Sequence, residues 1–439
     1  MHILAVFGSP GRDKIHELSA PYPRYTERET ERKIEEALKA GEKEIGPHSC
    51  SFIEQDLGFR CPESCQAKSL GVKSPAGLAV KLAARKAFNL TDTGNAERLI
   101  ERYGDILHYS EARKKWLIWN GKVWQWNYGA KIMALSKKTV RAIYAEAANK
   151  ADDEERKAIL KHAVGSEKKD RRAAMVDLAI SEPNITVELD ELDSDPWLFC
   201  CKNGTIDLKT GKLLPHKKED LITKMSPVEY SPDAECPLWQ KFLARITGND
   251  DELQNYLQRA AGYSMCGDTR AQVLFFLYGA GNNGKSTFLN TISKIIAGYS
   301  HKAPMDIFAT RGKYTESHNE SLANLQGKRF VYAGEVEEGR QLRLNLIKDI
   351  TGGEPIRADR KYEHEVEFQP TFKLWLYGNH KPFVVDNTIA TWRRLREIPF
   401  TVVIPDDEID QELPKKLEAE QSGILAWMVQ GCLDWQRRA

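Results

Sequence analysis

Neither sign of charge predominates in these 439 residues, with Lys and Arg numbering 64 against 63 for Asp and Glu. A basic coat over the whole surface is therefore excluded, and any contact with a polyanion must be local. No stretch of about 18 consecutive apolar residues occurs, so no membrane-spanning helix is predicted. The opening MHILAVFGSPGRDK is short and has no cationic lead, unlike a secretory leader. These absences predict a soluble, cytoplasmic protein with no membrane partner. Cysteine is sparse, 8 in all, yet three cysteines crowd between Cys50 and Cys65. In a reducing compartment such a group favours a metal site over disulfides. The length allows about two to four domains.

What is present is concentrated past the middle of the chain, in VLFFLYGAGNNGKSTFLN. The apolar run Val273 to Leu277 predicts a strand buried on both faces, and Phe288, Ile292 and Ile295 have helical spacing. Between strand and helix, Gly279, Ala280, Gly281, Asn282, Asn283, Gly284, Lys285, Ser286 and Thr287 fit the phosphate-binding loop G-x-x-x-x-G-K-[ST]. Its glycines let backbone N–H groups wrap phosphates. Lys285 reaches the β and γ oxygens, and Ser286 is placed to ligate Mg²⁺ at a helix N-terminus. ATP with Mg²⁺ is the predicted cofactor pair.

Three downstream segments supply what such a loop needs. KRFVYAGEVEEG runs Phe330 to Ala333 into Glu335, a strand-end carboxylate suited to holding Mg²⁺ and polarising water. Glu337 and Glu338 follow closely, as second acids or as solvated loop residues. TFKLWLYGNHKP predicts a buried strand from Phe372 to Tyr377 ending at Asn379, placed to orient a water against the γ-phosphate or simply to cap a turn. TWRRLREIPF offers Arg393 and Arg394, forked cations of the kind that neutralise a phosphoryl group across a subunit boundary. Between the acid and Asn379, the runs PIRADRK and HEVEFQP predict a hairpin whose tip carries Arg360, Lys361, Tyr362 and His364. Cations beside an aromatic grip a nucleic-acid backbone, although Glu363 and Glu365 also fit an ordinary mixed-charge surface.

The preceding chain divides by texture into residues 1–90, 91–265, 266–405 and 406–439. Thr26 and Glu29 form a capping box that opens a charged helix. GPHSCSFIEQDLGFRCPESC then brings together His48, Cys50, Cys61 and Cys65, four potential ligands for a tetrahedral zinc or else small buried residues. KKWLIWNGKVWQW predicts a hairpin with a type I′ turn at Asn120-Gly121, and Asn203-Gly204 and Thr210-Gly211 repeat the signal. Trp116, Trp119, Trp124 and Trp126 are either core residues or stacking platforms for bases. The last segment predicts helices with an apolar stripe at Ile424, Leu425, Trp427 and Met428, packed under the nucleotide domain.

In this order, GAGNNGKST, GEVEEG, ITGGEPIRADRKYEHEVEFQPTFKLWLYGNHKP and TWRRLREIPF closely resemble the superfamily 3 helicase domain of phage and plasmid primase-helicases, a group similar to the poxvirus primase-helicase. LTDTGNAERLIERYGDILHYSEARKKWLIWNGKVW and DPWLFCCKNGTIDLKTGKLLPH resemble the module preceding that domain, and the first 90 residues resemble the linker after a primase catalytic domain. The resemblance implies an α/β fold: an AAA+ core with a mostly parallel sheet at 266–405, preceded by a mixed α/β module and a small Cys/His segment. It implies a homohexameric ring that hydrolyses ATP between subunits and translocates on single-stranded and forked DNA in a bacterial host, alongside a separate primase or other replication proteins. Lys285 and Ser286 would bind phosphate and Mg²⁺, Glu335 would be the acidic strand residue with Mg²⁺, Asn379 the sensor, one of Arg393 or Arg394 the finger, and the 360–364 tip would face the pore. Val336 separates Glu335 from Glu337 where many relatives outside the phage group have adjacent acids, leaving their division of labour open. The chain is expected to start after the primase domain and stop before any winged-helix domain.

Two other classes compete with a motor. A nucleotide-gated DNA scaffold or loader would share every motif above. A primase-polymerase has one hint, Asp193-Ser194-Asp195, in a polar loop where polymerising carboxylates would need a buried strand.

Overall fold

The computed structural model describes residues 26–42, 88–310, 317–334, 341–358, 366–381 and 389–438, with Arg12, Ile15, His16, Ser19 and Ala20, and it divides into two units, Met1–Phe88 and Asn89–Ala439. In the first unit Thr26 Oγ1 accepts the Glu29 N–H at 3.3 Å and opens α1 (Glu27–Glu42). Arg12 and His16 both reach the Glu31 carboxylate, and Ile34 is buried. The zinc candidates His48, Cys50, Cys61 and Cys65 lie outside the described residues.

The second unit opens on α2 (Asp92–Tyr103), whose first turn is capped by Thr91 Oγ1. β1 (Leu107–Ser110), β2 (Lys115–Trp119) and β3 (Trp124–Asn127) follow as an antiparallel sheet, with α3 (Ala130–Ala148), α4 (Asp153–Ser166) and α5 (Lys169–Leu178) beside them. Leu99, Leu107, Trp116, Ile118, Ile132, Val140 and Met175 share one core, and buried Arg98 donates to Glu146 at 2.9 Å, tying α2 to α3. Trp116 and Trp124 are core residues; Trp119 and Trp126 are partly buried beside them. The turn at Asn120-Gly121 differs from the expected type I′. Only Gly121 has positive φ, and Trp119 pairs with Trp124 across a four-residue loop. Asn120 Oδ1 accepts the N–H groups of Lys122 and Val123, an Asx turn that reverses the chain without a left-handed Asn.

β4 (Leu198–Cys201), β5 (Gly204–Asp207) and β6 (Lys212–Leu214) form a second small antiparallel sheet. Its first turn holds Lys202 and Asn203, one position earlier than expected, so Gly204 belongs to the strand. The Asn203 side chain instead bonds both backbone groups of Tyr230 at 2.9 Å, which fixes the register. Asp193 is fully occupied in this region: its carboxylate takes Thr223 N–H at 2.8 Å, Thr223 Oγ1 and Lys224 Nζ. That carboxylate pins a loop, and it offers no open pair of acids with Asp195.

Next come α6 (Pro237–Thr247) and α7 (Asp251–Tyr263), then β7 (Leu274–Tyr278), α8 (Lys285–Ile296), β8 (Ser300–Lys302), β9 (Ala309–Thr310), α9 (Ser317–Ala323), β10 (Phe330–Gly334) and β11 (Gln341–Leu342). The remaining elements are α10 (Leu344–Gly352), β12 (Ile356–Ala358), β13 (Val366–Phe368), β14 (Lys373–Gly378), α11 (Ile389–Trp392), β15 (Leu395–Pro399), α12 (Leu413–Glu418) and α13 (Gln421–Arg438). Five of the strands make one parallel sheet in the order β15-β7-β14-β10-β8. Alternation along these strands feeds two cores. Phe275, Leu277, Phe330, Tyr332 and Trp375 face one that holds α6, α7, α8 and α13; Leu274, Phe276, Val331, Ala333, Leu374 and Leu376 face another with Ile347 and Ile350 of α10. A sheet buried on both faces explains the continuous apolar runs. No helix among the described residues is long and apolar enough to cross a membrane.

The apolar stripe of α13 packs chiefly on α7, with a smaller contact to α8. Two glycines set that distance. A Cβ on Gly262 would lie 2.1 Å from the Cys432 nitrogen, and one on Gly431 would lie 2.1 Å from the Gln258 carbonyl oxygen. The helices meet backbone to backbone, and neither can yield as a side chain would. Gly262→Ala or Gly431→Ala should each cost about 3 kcal/mol or more of stability, read as a lowered midpoint in thermal or urea denaturation; an unchanged midpoint would refute this packing.

Candidate functional site

The geometry starts with the loop after β7. Gly279 has φ +150°, and a Cβ there would come 2.0 Å from the Phe400 carbonyl oxygen. Gly284 has φ +82°, with the side chain of Ile246 2.5 Å from where a Cβ would sit. These two glycines are sterically required, one against the exit of β15 and the other against α6. Asn283 closes the loop, its Nδ2 donating to the Phe400 carbonyl at 2.8 Å and also to Ala280 O. Asn282, left-handed at φ +54°, accepts the Ile404 N–H at 2.7 Å and donates to Asp406 at 3.1 Å.

Lys285 is only 5 % exposed, and its Nζ donates to Gly279 O at 2.7 Å, Ala280 O at 3.1 Å and Asn283 Oδ1 at 2.9 Å. Burial pushes its pKa below the ordinary lysine value. Ser286 is exposed at the start of α8. A cavity of about 480 Å³ opens over the loop, lined by Gly281 to Thr287 and by Tyr377, Gly378, Asn379 and His380. A second cavity of about 300 Å³ continues past Ser286 and Thr287 to Tyr332 and Gln421.

Parallel pairing explains why Asn379 meets the loop. Tyr278 pairs with Gly378 and Tyr377 with Gly334, so β7, β14 and β10 end level with one another. The strand carrying Asn379 lies between the loop strand and β10. Glu335 follows β10 directly but lies outside the described residues, as do Arg360, Lys361, Tyr362 and His364. The stem of their hairpin is described: β12 and β13 pair antiparallel, Ile356 opposite Phe368 and Ala358 opposite Val366.

Arg393 and Arg394 are not in this cavity. They precede β15, where Arg394 O accepts the Leu274 N–H at 2.9 Å at the start of β7. Arg394 Nε donates to Thr351 Oγ1 at 3.1 Å, while Arg393 is exposed, with Gln272 at 3.4 Å. Five residues of strand, roughly 16 Å, separate the pair from the loop end of the sheet.

Several participants carried no recognisable sequence signal. A Cβ on Gly334 would sit 1.9 Å from the outer end of the Tyr377 ring, so this tyrosine lies across the end of β10. Its place two residues before Asn379 is the only hint. Phe400, Ile404 and Asp406 brace the loop from more than 110 residues away in sequence, and nothing local announces them.

Comparison with known proteins gives two consecutive family matches. Residues 96–248 match "D5 N terminal like", and residues 277–394 match a family of unknown function, DUF5906. Relatives include the provisionally named helicase L207/L206 of Acanthamoeba polyphaga mimivirus, 29 % identical over 225 residues, which cover 50 % of this chain and 23 % of that protein. Another is the provisionally named helicase 022R of Frog virus 3, 24 % identical over 323 residues, 55 % of this chain and 33 % of that one. The chain thus spans a quarter to a third of the length of these relatives. Among solved structures, the apo C-terminal region of NrS-1 overlaps with a TM-score of 0.48 at 13 % identity, covering 76 % of this chain and 69 % of that one.

If Gly279 is a required cradle, Gly279→Ala should weaken binding of a non-hydrolysable ATP analogue more than tenfold by calorimetric titration, and wild-type affinity in that variant would refute it. The two matched segments, 96–248 and 277–394, are the ones whose motifs resemble the phage and plasmid primase-helicases.

Proposed function

We infer that the chain is a superfamily 3 helicase motor of the AAA+ type, which hydrolyses ATP with Mg²⁺ between subunits of a ring, a homohexamer by resemblance, and draws single-stranded DNA through it. The observation that carries this reading is the division of the site: loop and Asn379 share one cavity, while the arginine pair stands at the opposite end of the same sheet.

The residues present fit a nucleoside triphosphate. Backbone N–H groups of the Gly279–Lys285 loop and the start of α8 would receive the β-phosphate, and Lys285 would exchange loop carbonyls for β and γ oxygens. Ser286, with Glu335, would hold Mg²⁺, which would supply charge neutralisation at the bridging oxygens. Asn379, which follows the strand next to β7 and lines the same cavity, would orient a water against the γ-phosphate. Among the described residues, Lys285 is the one lysine or arginine lining this cavity. Charge building on the transferred group therefore calls for a further cation. Arg393 and Arg394 of the same chain are too far away, so an adjacent copy must present them.

A mixing experiment tests the shared site. Lys285→Ala should abolish hydrolysis, and the double variant Arg393→Ala with Arg394→Ala should lower it about 10³-fold. Mixed together, the two should regain measurable turnover, because in mixed rings an intact loop meets an intact arginine pair. Failure to regain it would refute the intersubunit site.

For the hairpin, Lys361→Ala with Tyr362→Ala should leave basal hydrolysis near wild type while abolishing strand separation on a forked substrate. Unwinding at the wild-type rate would remove the pore-hairpin role.

A further inference from the structure

A chain with almost no net charge can hold a polyanion only where its cations are segregated, and outside the motor site they are segregated along α3. From Ala130 to Ala145 this helix contains Lys131, Lys137, Lys138 and Arg141 and no acid; the first, Glu146, is occupied by Arg98. At about 100° per residue the four cations fall within roughly 120° of the helix surface, along about 15 Å of its length. All four are exposed, and none has an ion pair among the described residues. Lys131 donates only to the neutral amide of Gln125. A lysine in the first turn also opposes the helix dipole, an arrangement that intrahelical stability does not explain.

The amino end of the stripe adds an aromatic. Tyr128, joining β3 to α3, is 83 % exposed, far more than its neighbours Trp124 and Trp126. Lys115 Nζ lies 5.2 Å from its ring centroid and Arg113 lies 4.6 Å over Trp126, with Lys114 exposed in the same turn. Glu111 is the acid of that turn. At the helix start Asn127 is 7 % exposed; its Oδ1 accepts the Lys131 N–H, and its Nδ2 has no hydrogen-bond partner. An unsatisfied buried donor at a helix N-terminus calls for an acceptor from outside.

We propose that Tyr128 and the α3 stripe form a second contact for single-stranded DNA, separate from the ATP-driven grip, in which a base stacks on Tyr128 and successive phosphates follow Lys131, Lys138, Arg141 and Lys137. Stacking requires an unpaired base, so the track selects single strand over duplex. The proposal rests on the motor reading only for the identity of the polynucleotide.

The test is fluorescence anisotropy with a fluorescein-labelled oligothymidine of 30 nucleotides and its duplex, without ATP, at several salt concentrations. Tyr128→Ala should weaken single-strand binding roughly tenfold. The triple variant Lys137→Gln, Lys138→Gln, Arg141→Gln should weaken it further and reduce the slope of log affinity against log salt by about 2. Both variants should keep wild-type melting curves and basal ATP hydrolysis, since every altered side chain is exposed and remote from the loop. Unchanged affinity and salt slope in both would overturn the proposal, as would equally tight binding of the duplex. A wild-type chain that shows these binding differences yet neither hydrolyses ATP nor unwinds DNA would overturn the motor reading while supporting this contact.

Discussion

The Asn283 amide, hydrogen-bonded to Ala280 O and Phe400 O, is the joint on which the rest of the structure depends. It ties the phosphate loop to the exit of β15, which Gly279 must approach so closely that no side chain fits between. Phe400 in turn donates its N–H to Tyr278 O at 2.8 Å, so the last turn of the β7–β15 ladder and the loop form one hydrogen-bonded piece. Each bond is worth only about 1 kcal/mol net. Their value is that the loop conformation is fixed before any ligand arrives, so binding does not have to order it.

Parallel strand direction then decides what can share a site. Every strand of the central sheet points the same way, so the carboxyl ends of β7, β14 and β10 lie side by side at one end, and the residues that precede β15 lie at the other. No side-chain rearrangement moves Arg393 to the loop of its own chain, because the sheet stands between them. The loop and the arginine pair were separated when the strand order was set, which is why the proposed motor reading calls on two copies of the chain.

The sequence made the strand-and-loop framework readable for a physical reason. Strands buried on both faces must be nearly all apolar, and the runs Val273–Leu277 and Phe330–Ala333 show this directly, as does Phe372–Tyr377 apart from Lys373, whose buried Nζ donates to Cys266 O and Asp268 O. Glycines in a tight phosphate loop and a capping box are equally local, and so was the clustering of loop residues with Asn379 once the strands were paired. What escaped was long-range. Gly334 carried no signal, and only the Tyr377 ring, 1.9 Å from where a Cβ would sit, shows what it makes room for. Asn120 read as a left-handed turn residue, yet its side-chain oxygen does the turning. Asn203 was placed in the same kind of turn, and its amide instead pairs with Tyr230. In each case a side chain replaced a backbone conformation, and residue type alone does not say which will happen.

Charge shows the same limit from another side. The near-equality of 64 cations and 63 anions excluded a basic coat, but it could not say where the cations stand. Mixed-charge helical sequence reads as a solvated face, and for α4 that holds: Lys157 pairs with Glu154, Arg156 with Asp153 and Lys150 with Glu155. α3 differs because its cations have no acid three or four residues away, so nothing on the helix neutralises them. The stripe keeps its full field toward solvent, and the cost of crowding like charges along one face falls when phosphates bring the missing anions.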